Sequence, residues 1–189
     1  MLTALAIALV VGLVALARGG SLHDLAETTF RWTPLLFAGL ALQIVFGAWA
    51  PSWLDRRGAL AVVLLSNLAV AVWLVVNRRL PGLLLAGAGM ALNVLVIVSN
   101  GAMPVLDRSA DAAGVSQSLD DAGLKHERLD DDTVLPWLGD AIPVPPTREV
   151  LSVGDVVLAL GLAQLVDARM TAHKKGRHRA GKGSSPASG

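Results

Sequence analysis

Five apolar blocks constrain this chain more than any other feature. They lie at about 2–17, 32–50, 59–76, 82–99 and 150–167. Each runs for roughly 16–19 residues, close to the ~20 that carry a helix across ~30 Å of hydrocarbon. A soluble domain instead breaks its apolar residues into periodic patterns with charge between them. Here charged residues make up 16% of 189 positions, against ~25% in an average soluble domain, and the mean hydropathy is +0.57. The expected fold class is an all-α integral membrane protein. It is a five-helix transmembrane bundle over residues 1–168, with a long extracytoplasmic loop over 100–149 between helices four and five. A basic tail, 169–189, has too few apolar residues to fold and reads as disordered. The chain contains no cysteine, which excludes disulfides, thiolate metal sites and cysteine nucleophiles.

The first block competes with a signal peptide, because Ala15-Leu16-Ala17 resembles a small-x-small cleavage site. No Lys or Arg precedes the apolar run, whereas a signal peptide carries a positive n-region. A retained helix is the preferred reading. The connection after it, Ser21-Leu22-His23-Asp24-Leu25-Ala26-Glu27, predicts a short capped helix with Leu22, Leu25 and Ala26 at helical spacing on the membrane surface. Trp32, Trp49 and Trp53 flank the second block, as aromatic residues do at membrane interfaces. In the fourth block Gly87 and Gly89 with Ala86 and Ala88 predict close approach to a neighbouring helix.

Orientation follows from charge. Five crossings gather Arg18, Arg31, Arg78, Arg79 and the basic tail on one side. The positive-inside rule puts that side in the cytoplasm, with the amino terminus outside and the carboxyl terminus inside. The long loop is then extracytoplasmic and holds ten acidic residues against four basic ones. The outside pair Arg56-Arg57 runs against the rule. Within the loop, 110–118 is small and polar and reads as mobile, and 119–129 predicts one short helix. The proline-rich run to Pro146 excludes a long helix. Residues 134–144, with Trp137, are expected at the membrane interface.

Candidate polar residues have structural and functional readings. Asp155 lies near the start of the fifth block. An ionisable residue there is a functional candidate, and Ser152-Val153-Gly154-Asp155 is also a helix-start signal with Ser152 as cap. Gln43, Asn67, Asn93 and Asn100 suit hydrogen bonds between helices. Alternatively, Asn67, Asn93 and Asn100 line a polar cavity open to the outside. His126 is the one histidine of the loop and could act as a general base oriented by Asp140 or Asp155. No nucleophile elbow or set of converging metal donors accompanies it. Asp130-Asp131-Asp132 lacks the spacing of a calcium loop and reads as a solvated turn. The tethered tail suits anionic lipid better than nucleic acid. Membrane lipids and a protein in the membrane are the expected partners; no nucleic acid, cofactor or metal is called for.

The ordered set Asn100-Gly101-x-Met103-Pro104-Val105, Lys125-His126, Leu138-Gly139-Asp140-x-Ile142-Pro143 and Ser152-x-Gly154-Asp155 resembles a bacterial family of small multi-pass membrane proteins of unknown function. The resemblance runs to about Val166, with Ala102 where that pattern has glycine. It implies the topology and directs attention to the loop, and it supplies no mechanism. A non-enzymatic scaffold, accessory subunit or assembly factor is the leading expectation. The alternative is a membrane-embedded enzyme or a lipid- or small-molecule-binding protein, with Asn93, Asn100, His126, Asp140 and Asp155 as its site under the loop. A transporter ranks third, because many transporters are built from internal repeats and none is visible.

Overall fold

The computed structural model describes residues 2–48, 56–115, 126–128 and 133–172, and side chains for most of them. Five long helices dominate: α1 (Leu2–Ala17), α3 (Thr33–Ala48), α4 (Arg56–Val76), α5 (Leu83–Asn100) and α7 (Val153–Met170). A short α2 (Leu22–Ala26) follows α1, and the described residues of the long connection hold α6 (Asp107–Ala113) and four three-residue strands. At ~1.5 Å per residue, the 16-residue α1 and α3 span roughly 24 Å and the 21-residue α4 roughly 32 Å. By length and composition, Arg57–Val76 and Leu83–Asn100 are the two helices able to cross a membrane among the described residues.

The helices pack as successive neighbours in the order α3, α4, α5, α7, α1. Gly39 on α3 lies against Ser66 and Val70 on α4, and Asn93 near the end of α5 reaches Ser152 and Asp155 at the start of α7. Consecutive long helices therefore run in opposite directions, and α1 runs parallel to α7. One end of the set joins Arg31 to Asn77 and Ser21 to Met170. The other end joins Thr3 to Thr147 and Glu149.

The tightest contact is α5 against α7. Gly82, Ala86, Gly89 and Asn93 recur every three or four residues and form one face of α5. Gly154, Leu158, Gly161 and Leu165 do the same on α7. A Cβ added at Gly89 would lie 2.5 Å from Leu158 N, and one at Gly161 would lie 2.6 Å from Gly82 O. The two backbones touch, because both helices present glycine at the contact. Gly87, expected on this seam, instead faces Leu74 on α4 at ordinary contact distance. The largest buried cluster sits beside the seam: Val70, Trp73 and Leu74 from α4, Leu83, Ala86 and Met90 from α5, and Leu165 from α7. Phe30 closes it, its ring centroid 5.5 Å from that of Trp73.

The long connection departs from its sequence reading in three places. Residues 107–113, inside or beside the run read as mobile, form α6. Ala110 and Ala113 are buried, and Gly114 ends the helix at φ 72. Residues 126–128 form β2 (His126–Arg128), a strand rather than part of a helix, paired in parallel with β1 (Met103–Val105); 119–125 lie outside the described residues. The fifth apolar block begins as a strand, β4 (Glu149–Leu151), paired antiparallel with β3 (Ile142–Val144). Helix α7 starts three residues later than the block, at Val153, because the capping box of Ser152 and Asp155 fixes its first turn. Two 3₁₀ turns, Pro136–Leu138 and Pro145–Thr147, carry Pro136, Pro145 and Pro146, while Pro104 and Pro143 lie in β1 and β3. Trp49, Trp53 and the tail beyond residue 172 lie outside the described residues.

Candidate functional site

The C-terminal half of α5 organises the polar residues. Asn93 uses both halves of its amide on the start of α7. Its Nδ2 donates to Asp155 Oδ1 at 2.8 Å, and its Oδ1 accepts from the fully buried Ser152 hydroxyl at 2.8 Å. Ser152 Oγ also accepts from Asp155 N (3.0 Å), and Asp155 Oδ2 from Ser152 N (3.1 Å). The capping box and the interhelical bond are thus one network. Gly154 makes it possible, since any side chain there would strike Asn93.

Asn100 lies two turns further along the same face of α5. Its Oδ1 accepts from Val134 N at 2.8 Å and its Nδ2 donates to Val134 O at 2.9 Å, as a paired strand residue would. This clamp starts the segment that returns over the helix end. Leu138 then inserts between Val96 and Met103, with Leu92, Ile97 and Leu135 around them. Burying that leucine contributes ~1.5–3 kcal/mol by area alone.

The Leu138-Gly139-Asp140 turn now has a structural cause. Gly139 packs on Pro104, where a Cβ would stand 2.6 Å from the carbonyl oxygen. Asp140 N donates to that same oxygen at 2.8 Å, and Leu106 N donates to Asp140 O at 2.9 Å. Asp140 thereby extends the sheet along one edge of β1, with a parallel bridge to Val105, and is 5% exposed. His126 pairs with Met103 along the other edge. The two backbones are separated by two strand spacings, about 9.6 Å. The side chain of His126 lies outside what the structure describes. Helix α6 covers the hairpin, and Ser109 Oγ donates to Ala141 O at 2.6 Å.

The structure therefore joins Asn93 to Asp155 directly, commits Asn100 to Val134, and sets Asp140 and His126 on opposite flanks of β1. Asn67, grouped above with Asn93 and Asn100, donates to Val63 O of its own helix at 2.8 Å. No group of three or more metal-binding side chains occurs among the described residues.

Residues 27–166 match the model of a family of unknown function, DUF5317. The chain belongs to the DUF5317 family. The DUF5317 region holds α3 to α6, most of α7 and every candidate residue from Asn93 to Asp155, whereas α1 and α2 precede it. No curated protein and no solved structure matches the chain.

Sequence reasoning missed two further joints of this DUF5317 member. Asn77 repeats the Asn100 device at the opposite end: its Oδ1 accepts from Arg31 N (2.8 Å) and its Nδ2 donates to Arg31 O (2.9 Å). It is 5% exposed, and its position just past an apolar block before Arg78-Arg79 disguised it as a loop residue. Thr3 meets Glu149 Oε2 through its amide at 2.8 Å and Thr147 through its hydroxyl at 2.7 Å. Nothing in the sequence links residues 144 or more positions apart.

Proposed function

We propose that this chain is an integral inner-membrane protein with five spanning helices, its amino terminus and 101–152 connection outside and its carboxyl terminus in the cytoplasm. We propose that it acts as a non-enzymatic scaffold, accessory subunit or assembly factor. The supporting observation is an inverted distribution of side chains. Leu9, Phe37, Ile44, Leu68 and Leu84, on α1, α3, α4 and α5, are each 59–66% exposed. Polar Ser66 and Asn77 are buried. Exposed apolar surface on this scale matches a lipid-facing belt and not a soluble monomer.

Trp32 and Trp137, 60% and 66% exposed, lie at opposite ends of the helices and suit the two interfaces. Helix α1 belongs to the bundle in this reading, since Thr3 ties its start to the connection and Arg18 pairs with Asp167 at its end. The scaffold role draws on the commitment of Asn93, Asn100 and Asp155 to structural hydrogen bonds. A membrane-embedded binding or catalytic role is a second reading; it draws on the buried Asp140.

The test combines topology and partnership. A periplasm-active reporter should be active when inserted at Gly114 and silent after Ala172; activity after Ala172 overturns the orientation. Recovery of the chain in the soluble fraction overturns the membrane reading. Purification in mild detergent should yield a stoichiometric protein partner. A tightly bound small molecule without such a partner, released by Asp140→Asn, would overturn the scaffold in favour of the second reading.

A further inference from the structure

Asn77 gathers three arginines at the end of the helix set where α4 stops and α3 and α5 begin. Its amide holds the Arg31 backbone, accepting from Arg31 N at 2.8 Å and donating to Arg31 O at 2.9 Å. Its own carbonyl accepts from Leu80 N at 2.9 Å. That bond closes a four-residue turn with Arg78 and Arg79 at its centre. Asn77 Nδ2 also donates to Trp73 O at 2.9 Å, and the residue is buried, so the joint is fixed to the core. Arg31 is thereby held beside Arg78-Arg79, from which it is far removed in sequence.

All three arginines are exposed, and the connections at this end, 18–32 and 77–82, are described throughout. The ion pairs Arg18–Asp167 and His23–Glu27 leave the three out. Among the described residues no carboxylate pairs with Arg31, Arg78 or Arg79. No Asp or Glu follows Asp167 in the sequence, so no side chain of the tail neutralises them. Helix α3 begins two residues after Arg31, and α5 begins four after Arg79 without a side-chain cap. Two positive helix ends therefore face the one negative end of α4. Together these charges favour an anion, and guanidinium forks match the oxygens of a phosphate. Trp32 points to the source of that phosphate. It follows Arg31 in the left-handed region (φ 58), which bulky residues seldom adopt, and is 60% exposed. An exposed indole beside cations suits the headgroup depth of a bilayer.

We propose that Arg31, Arg78 and Arg79 form a binding site for the phosphate headgroup of an anionic phospholipid, with Asn77 as the residue that positions Arg31. Clustered basic residues at helix ends recognise such headgroups by charge. The inference rests on the membrane reading and not on its orientation, since the cluster meets headgroups of whichever leaflet lies at this end.

The full-length chain, purified in detergent, is titrated with phosphatidylglycerol and phosphatidylcholine of equal acyl chains, and binding is read by native mass spectrometry. The expected result is at least a tenfold preference for phosphatidylglycerol. Arg31→Gln, Arg78→Gln and Arg79→Gln should each weaken phosphatidylglycerol binding about fivefold, the fold-change of ~1 kcal/mol per basic residue near an anionic surface, with phosphatidylcholine unaffected. Asn77→Ala keeps every arginine and should remove most of the further effect of Arg31→Gln. Arg31→Gln leaves the Asn77 bonds to the backbone in place, so it decides the matter if Asn77→Ala does not fold. Equal binding of the two lipids, or unchanged binding in Arg31→Gln, overturns the site. Lys174→Gln, Lys175→Gln, Arg177→Gln, Arg179→Gln and Lys182→Gln together should leave the preference standing; its loss there would assign the lipid to the tail and overturn the site. Soluble glycerophosphoglycerol binding as tightly as the lipid overturns the lipid source. A chain that fractionates with membranes yet shows no preference refutes the site alone; a chain in the soluble fraction refutes the membrane reading beneath it.

Discussion

Replacing Gly161 by alanine tests the α5–α7 seam with one added methyl. The new Cβ would stand 2.4 Å from Ala86 N and 2.6 Å from Gly82 O, both backbone atoms that no rotamer change can move. Ordinary contact begins at 3.4 Å, so the helices must separate by roughly 1.0 Å at this crossing. A gap of 0.5–1 Å forfeits about a quarter to a half of each dispersion contact along the seam. Overpacking of this kind costs ~1–3 kcal/mol, and the rigidity of both partners puts the expected loss at the upper end, ~2–3 kcal/mol. Gly87→Ala is the control. Its added Cβ meets Leu74 at 4.0 Å, and alanine gains ~0.5–1 kcal/mol of helix propensity over glycine. Reversible unfolding of the detergent-solubilised protein in increasing dodecyl sulfate, followed by tryptophan fluorescence, reads both variants. Gly161→Ala should unfold at lower denaturant than the parent chain, and Gly87→Ala at the same or higher. Equal midpoints for the two variants would refute the backbone-contact seam.

Two further perturbations address the C-terminal half of α5. Asn93→Leu removes the partner of a fully buried hydroxyl and should cost ~1–3 kcal/mol. Ser152→Ala should cost about 1 kcal/mol as a lost helix cap. Since both residues belong to one network, their double-mutant cycle should show a coupling above ~0.5 kcal/mol, and strict additivity would separate the cap from the interhelical bond. Asn100→Ala removes both Val134 hydrogen bonds, each with a net contribution of ~0.5–1.5 kcal/mol. Hydrogen exchange at the Val134 amide should accelerate about tenfold or more while exchange in the middle of α5 is unchanged; unaltered protection of Val134 would show that Leu138 alone seats the connection.

Asn93, Ser152 and Asp155 show how far local pattern reaches. The cap of α7 was legible, since Ser152 and Asp155 stand three apart and both contacts form within one turn. The link to Asn93 was not, because it depends on how α5 is rotated against α7, and Gly89, Gly154 and Gly161 set that rotation. Asp140 is a similar case. Its neighbours Leu138 and Gly139 drew attention in the sequence, yet their role comes from a carbonyl of Pro104, 35 or so residues away. The chemistry of His126 suits a general base oriented by Asp140 or Asp155, while the register of β1 puts the His126 and Asp140 backbones on opposite edges.

By itself the sequence determined that most of this chain is helical and where the long apolar segments lie, because hydrophobic blocks, caps and helix-breaking prolines act over a few residues. It also pointed to the family of unknown function to which the chain belongs. Only the tertiary structure decided which helix faces touch, why glycine stands at 139 and 154, and what the amides hold. Those contacts join residues dozens to more than a hundred positions apart, and no local periodicity encodes them.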